Sequence, residues 1–212
     1  MIVVGLTGGI ASGKSTTAAM IRDRGIPVHD ADRSVHAMMA PGGVAVAPVT
    51  AAFGDELRAD DGSIDRQALG AMVFAAPSRR AVLEAVIHPL VAADRDRFLA
   101  QSRETGAPLV VLDVPLLFET GGESLCDFII LCAVDPDIQR RRAMQRPGMT
   151  AGKLDAILAS QMPLAQKRDL ADAVIDTGDG VTAAAAQLAA ILDGPVAALL
   201  DGRQQITDPD NA

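Results

Sequence analysis

The stretch from Met1 to Ser15, MIVVGLTGGIASGKS, decides the fold. Its first six residues are a short apolar run rich in β-branched side chains, the pattern of a strand buried on both faces. Gly8-Gly9-Ile10-Ala11-Ser12-Gly13-Lys14-Ser15 then satisfies G-x-x-x-x-G-K-[ST]. Helical texture follows from Ser15 to Arg24, with Gly25 as a stop signal. Strand, glycine loop and helix together are the setting a phosphate-cradling loop requires. Gly8 and Gly13 let the backbone turn and approach a phosphate, successive N–H groups point inward, and the following helix offers its positive end. Lys14 has the reach for β and γ phosphates, and the Ser15 hydroxyl is a candidate Mg²⁺ ligand. Gly9, Ala11, Ser12, Gly13, Lys14, Ser15 and Thr16 are therefore the candidate nucleotide-binding positions of this loop.

Working outward, Ile26 to His29, Leu109 to Val114, Phe128 to Val134 and Ala173 to Asp176 read as further short strands separated by helical segments. Five such runs predict an α/β fold with a five-stranded parallel sheet covered by helices. Val35 to Leu99 and Asp137 to Leu170 are too long for simple crossovers and read as helical insertions over the strand C-terminal edge, where such sheets bind ligands. The expected partition is a nucleotide-binding core of residues 1–34, 105–136 and 171–195, an insertion at 35–104, a lid at 137–170 and a frayed tail at 196–212. The helix from Ala81 to Leu99 is expected to break at Pro89.

Composition bounds the partners. The 212 residues carry 49% hydrophobic but only 2% aromatic residues, so the core is aliphatic. A net charge of −8 argues against a generic polyanion binder, because such affinity needs a broad basic surface. No run reaches the roughly 18 uninterrupted apolar residues of a membrane span, and the first residues lack a basic stretch with a small-residue cleavage site. These readings predict a cytoplasmic protein that is a monomer or weak oligomer, with neither nucleic acid nor membrane as partner. Cys126 and Cys132 fit neither a disulfide framework nor a zinc pattern and read as packing.

Guanine-specific proteins read the base with an N-K-x-D motif, which this chain lacks because its only asparagine is Asn211. Phosphoryl transfer to a small molecule needs a proton acceptor, a metal site and a cationic cover that excludes water. From Asp137 to Arg168 seven cations, Arg140, Arg141, Arg142, Arg146, Lys153, Lys167 and Arg168, face two acids, Asp137 and Asp155. Such a segment serves as a lid over phosphates, simply as a solvated basic face, or as an RNA contact. Asp30 and Asp32 end the second strand; one can orient an acceptor hydroxyl while the other caps the next helix. Asp113 ends the third strand, where it can hold Mg²⁺ through water or cap a turn before Pro115. His88 on its helix reads as structural from its pattern alone.

These residues stand in a wider pattern. Gly5-Leu6-Thr7-Gly8-Gly9-Ile10 before Ser12-Gly13-Lys14-Ser15, Asp30-Ala31-Asp32 with His36, and Ile64-Asp65 resemble segments of the dephospho-CoA kinase family. So do Val73-Phe74, Leu83-Glu84 leading to His88-Pro89 and Val91, and Val114-Pro115-Leu116-Leu117-Phe118-Glu119. Arg142, Arg146, Gln161 and Lys167, then Ala171-Asp172 and Val174-Ile175, complete the resemblance. It implies ATP-dependent phosphorylation of the ribose 3′-hydroxyl of dephospho-CoA, with Mg²⁺ as cofactor and CoA and ADP as products. It implies Asp32, Lys14 and Arg142 as catalytic residues, Arg146 on the nucleotide, Asp32, His88, Leu116 and Lys167 on the acceptor, and Ser15 with Asp113 at the metal. The 35–104 insertion becomes the acceptor domain. Two departures stand out: Thr177 occupies a position where the family commonly has asparagine, and Ala11 replaces a frequent glycine. Another P-loop kinase of small molecules or nucleotides, or a non-catalytic ATP-binding module, remains the alternative.

Overall fold

A computed structural model of the chain describes residues 1–74 and 76–207. Its centre is a five-stranded parallel sheet in the order β2-β3-β1-β4-β5. The strands are β1 (Ile2–Gly8), β2 (Val28–Asp30), β3 (Leu109–Asp113), β4 (Phe128–Ala133) and β5 (Ala173–Asp176). Every residue of β1, β3 and β4 is buried, as expected of strands covered on both faces. Register sets the site: Leu6 pairs with Asp113 and Gly8 with Cys132, so the end of β1 opens between the ends of β3 and β4.

The chain divides into two compact units, Met1–Val28 with the chain from Ser102 onward, and His29–Gln101. In the first, α1 (Lys14–Asp23) and α9 (Val181–Ile191) pack on the sheet through Ala18, Ile21, Ala184 and Leu188, against Ile2, Val4, Leu6 and Ile130. Each fully buried Leu or Ile of this aliphatic layer contributes about 1.5–3 kcal/mol. Between β4 and β5 run α6 (Pro136–Met144), α7 (Ala151–Ala159) and α8 (Leu164–Leu170). Asp135 caps α6 by accepting from the Asp137 and Ile138 N–H groups, with Pro136 in the first turn, and Thr150 caps α7.

The second unit is helical: α2 (Ala31–Met38), α3 (Val46–Phe53), α4 (Arg66–Phe74) and most of α5 (Pro77–Glu104). Met38, Met39, Val49, Leu57, Leu69 and Ile87 form its separate core. Here the expected break at Pro89 does not occur, and α5 runs 28 residues through it. The lost N–H belongs to an exposed turn, where Ala85, whose carbonyl loses its partner, also faces water.

The tail differs too. Rather than fraying after Gly194, the chain passes through a π-turn at Leu192–Val196 into α10 (Ala197–Thr207). Leu192 and Val196 are buried in the sheet core, and Arg203 donates to the Met1 carbonyl at 2.8 Å and pairs with Asp127. These anchors hold a segment whose polar end predicted none; residues 208–212 of the expected tail lie outside the described residues. The run Val181–Arg203 holds an 18-residue stretch of mean hydropathy 1.6, by length and composition alone apolar enough to cross a bilayer. Its Ala184, Leu188, Leu192 and Val196 are instead spent on the sheet.

Candidate active site

The loop between β1 and α1 adopts the conformation its glycines predict. Gly13 precedes α1 at φ +88°, and a Cβ there would lie 2.8 Å from the Thr177 Cγ2. Both constraints demand glycine. Lys14 crosses the top of the sheet to Asp113, its Nζ 2.5 Å from Oδ1. Asp113 is 2% exposed, so this carboxylate at the end of β3 is held by the loop's own cation. Ser15 and Thr16 are exposed on the first turn of α1, while Ser12 is buried.

Thr177, just past β5, explains itself structurally. Buried at 6% exposure, it donates from Oγ1 to the Ser12 carbonyl at 2.9 Å and accepts from Arg142 Nη1 at 3.0 Å. A second Arg142 nitrogen donates to its carbonyl at 2.8 Å. Thr177 is thus a brace that ties the phosphate loop and α6 to the end of the sheet. Arg142 is fixed by that brace, whereas Arg146, Arg141, Lys153 and Arg168 are exposed. Arg140 pairs with Asp155 on the surface.

Ala11 is the one described non-glycine residue with positive φ, at +58°. A left-handed alanine costs roughly 1–2 kcal/mol. Beside it, the Ile10 backbone is held at both its polar groups: its N–H donates to Gln161 Oε1 at 3.3 Å, and its carbonyl accepts from Gln139 Nε2 at 2.8 Å.

A cavity of about 460 Å³ opens beside the loop, walled by Gly9, Ser12, the end of β4, and Leu158, Met162, Leu164 and Lys167 from the α7–α8 region. Lys167 is 2% exposed, and its Nζ is 2.8 Å from Glu119 Oε1, an ion contact rather than an aligned hydrogen bond. Glu119 Oε1 also accepts from the Met162 N–H at 2.8 Å. Burial pushes the Glu119 carboxyl up, but the Lys167 ammonium and the Met162 N–H more than offset it, leaving it below the ordinary carboxylate range. Cys132 lies in the wall of the same cavity; burial pushes its thiol up to about 11, so it stays protonated and inert.

In the helical unit, Asp30 accepts from the Arg33 N–H at 3.0 Å and caps α2. That settles which of the two aspartates caps and leaves Asp32 exposed in the first turn. His29, Ser34 and Asp94 meet in a half-buried cluster, Ser34 Oγ donating to Asp94 Oδ2 at 2.7 Å with His29 Nε2 3.1 Å from the same oxygen. The Ser34 hydroxyl, opposed by burial and aided by His29 and Arg97, holds the Asp94 carboxyl below its ordinary value. His88 is exposed on α5, and Leu116 is half-buried in the turn after β3.

Comparison with known proteins places this geometry. Residues 2–182 match the family model described as dephospho-CoA kinase. The chain belongs to the dephospho-CoA kinase family. It is 51% identical over 193 residues to the dephospho-CoA kinase of Mesorhizobium japonicum, covering 91% of this chain and 96% of that one. With the dephospho-CoA kinase of Rhizobium meliloti the identity is 50%, over 91% and 97%. Among solved structures, TT1252 from Thermus thermophilus superposes with a TM-score of 0.77 at 35% identity, over 92% of this chain and 97% of that one. A dephospho-CoA kinase from Campylobacter jejuni shares the fold, with a TM-score of 0.63 at 22% identity over 90% and 95%.

Within this dephospho-CoA kinase frame, the structure brings together the loop residues, Asp113, Arg142, Thr177, Gln139, Gln161 and Lys167 in the first unit. Sequence reasoning missed Gln139, which belongs to no motif, and the Glu119–Lys167 pair. A lysine in an alternating basic segment carries no signal of burial; the nearby P-L-L-F-E segment, quoted for its resemblance to dephospho-CoA kinases, held its partner unrecognised.

Proposed function

We propose that the chain transfers the γ-phosphoryl group of ATP to the ribose 3′-hydroxyl of dephospho-CoA, giving CoA and ADP. The observation that carries the reading is an intact phosphate loop whose Lys14 is 2.5 Å from the strand-end Asp113, in a chain that matches this kinase family from residue 2 to 182. Transfer of this kind asks little covalent work of a protein: it needs in-line placement and neutralisation of charge. Loop N–H groups from Gly9 to Thr16 cradle the phosphates. Lys14 exchanges Asp113 for phosphate oxygens, and Arg142 and Arg146 supply further positive charge. Asp32 orients the attacking hydroxyl and accepts its proton, while His88, Leu116 and Lys167 hold the acceptor.

The donor set fits Mg²⁺. That ion takes one or two protein oxygens plus substrate phosphates, and Ser15 offers a hydroxyl while Asp113 offers a carboxylate at the mouth of the loop. Among the described residues no cluster of three or more His, Cys, Asp or Glu gathers to form an all-protein cage. Bound there with ATP, the ion would neutralise charge on the phosphates. A cytoplasmic location is in keeping with small soluble substrates.

The test is ADP release measured with and without dephospho-CoA. Release should depend on the acceptor, Lys14→Ala should lose at least about a hundredfold in turnover, and Asp32→Asn should lower kcat far more than it raises KM for ATP. Acceptor-independent ADP release would refute the assignment.

A further inference from the structure

The phosphate loop is held from outside by two side chains that belong to none of its motifs. Gln139 lies in the first turn and a half of α6, behind the Asp135 cap, and Gln161 in the short link between α7 and α8. Their carboxamides take the two backbone groups of one residue, in the peptide units on either side of its Cα: Gln139 donates to the Ile10 carbonyl and Gln161 accepts from the Ile10 N–H. Each uses the one amide atom suited to its partner, so the pair fixes the orientation of two successive peptide groups. Gly9 admits them. A Cβ at Gly9 would stand 2.9 Å from Gln139 Nε2 and 3.1 Å from Gln161 Oε1, so the missing side chain is where the two amides enter.

Immediately after the held residue comes Ala11, left-handed at φ +58°. Strained conformations of this kind persist only where the surroundings over-determine them. Elsewhere along the loop the backbone has its own supports: Ser12 N–H bonds to the Gly9 carbonyl, and Thr177 holds the Ser12 carbonyl. At Ile10 the support comes from the two glutamines.

We infer that Gln139 and Gln161 are positioning residues that clamp the Ile10 backbone through the peptide groups on either side of it and so hold Ala11, and with it the phosphate loop, in its phosphate-binding shape. This rests on the kinase reading only in taking ATP as the loop's ligand. The clamp also couples the loop to the segment between β4 and β5, because both glutamines come from that segment. A competing role for Gln161 is that of a plug occupying an N–H that a phosphate oxygen needs. The two roles predict opposite effects of its removal.

The experiment is calorimetric titration of ATP into the whole protein, which needs no acceptor and so stands apart from the choice of substrate. Gln161→Leu and Gln139→Leu should each weaken ATP binding about five- to thirtyfold, the factor that corresponds to one left-handed alanine released from its support. Glycine adopts that φ without penalty. Adding Ala11→Gly to either variant should therefore recover most of the lost affinity, measured against Ala11→Gly alone. Far-ultraviolet circular dichroism checks that each variant is folded, and if one glutamine variant fails that check the other carries the test. Unchanged or tighter ATP binding in a folded Gln161→Leu protein would overturn the clamp in favour of a plug or a bystander. A loss that Ala11→Gly does not recover would overturn it as well, since the loop's strained residue would then not be what the glutamines hold. If the clamp result holds while dephospho-CoA is not phosphorylated, the substrate reading fails and the clamp stands.

Discussion

Removing the carboxylate of Glu119 should destabilise the first unit by several kcal/mol, and removing its lysine as well should restore most of the loss. Lys167 is the largest of the fully buried side chains, 2% exposed, and Glu119 Oε1 at 2.8 Å is the counter-charge beside its ammonium. In Glu119→Leu that ammonium keeps its burial and loses its partner. Breaking a buried pair from one side costs about 3–5 kcal/mol, and at roughly 2–4 °C per kcal/mol for a chain of this size the melting midpoint falls by about 6–20 °C. Lys167→Met alone should cost less, because Glu119 Oε1 keeps the Met162 N–H and the side chain, 16% exposed, is less deeply buried than Lys167. The double variant removes both charges and should lie within about 1–2 kcal/mol of the parent, so the cycle should show strong coupling. With neither Tyr nor Trp in the chain, the melts are followed by far-ultraviolet circular dichroism. The pH dependence has a defined sign. Glu119 is held below its ordinary value of 4.5, so its contribution is complete above that value and fades as pH falls through the lower folded value. The gap between parent and double variant should accordingly shift against the parent on strong acidification. A Glu119→Leu protein that melts within about 2 °C of the parent at neutral pH would refute the reasoning, because Lys167 would then not need its counter-charge.

Two further outcomes follow from the same geometry. Thr177→Val removes the hydroxyl that bonds the Ser12 carbonyl and Arg142; it should cost about 1–2 kcal/mol in thermal stability and weaken ATP binding, and an unchanged ATP titration would remove Thr177 from the loop's supports. Asp94→Asn should lower stability of the helical unit by about 1 kcal/mol at neutral pH. Because Ser34, with His29 and Arg97, holds Asp94 below its ordinary 3.8, this difference should vanish as pH falls below that value, which chemical denaturation at a series of pH values reads directly.

The sequence made the sheet and its loop legible because each strand is a short aliphatic run and the G-x-x-x-x-G-K-S spacing admits few structures. Ala173–Asp176 was read to the residue, and β1, β3 and β4 to within one or two. Pro89 misled because proline reports a missing N–H and not whether water stands ready to satisfy the carbonyl it abandons. The last helix was hidden for a related reason: Arg203 acquires its value from Met1 and Asp127, residues far away in sequence. At the site, the lysine and aspartates announced themselves by motif and strand position, and the wider pattern P-L-L-F-E with D-A-D and I-H-P narrowed the family. The glutamine pair and the Thr177 brace did not, because a neutral amide or hydroxyl becomes informative only once the peptide group it meets is known.

The anchoring of Arg203 on Met1 bears on the order of assembly during synthesis. The helical unit is one continuous stretch, His29–Gln101, and can complete its core as soon as it leaves the ribosome. The sheet unit cannot. Its central strand β1 emerges first, yet its neighbours β3 and β4 are about a hundred residues downstream, and the helix that fastens the start of β1 is translated last. A nascent chain therefore carries an unpaired, largely apolar strand until β3 and β4 emerge, the kind of edge that invites aggregation. Chains shortened before Leu192 would lack both the buried Leu192 and Val196 and the arginine latch, leaving that first strand without its final closure.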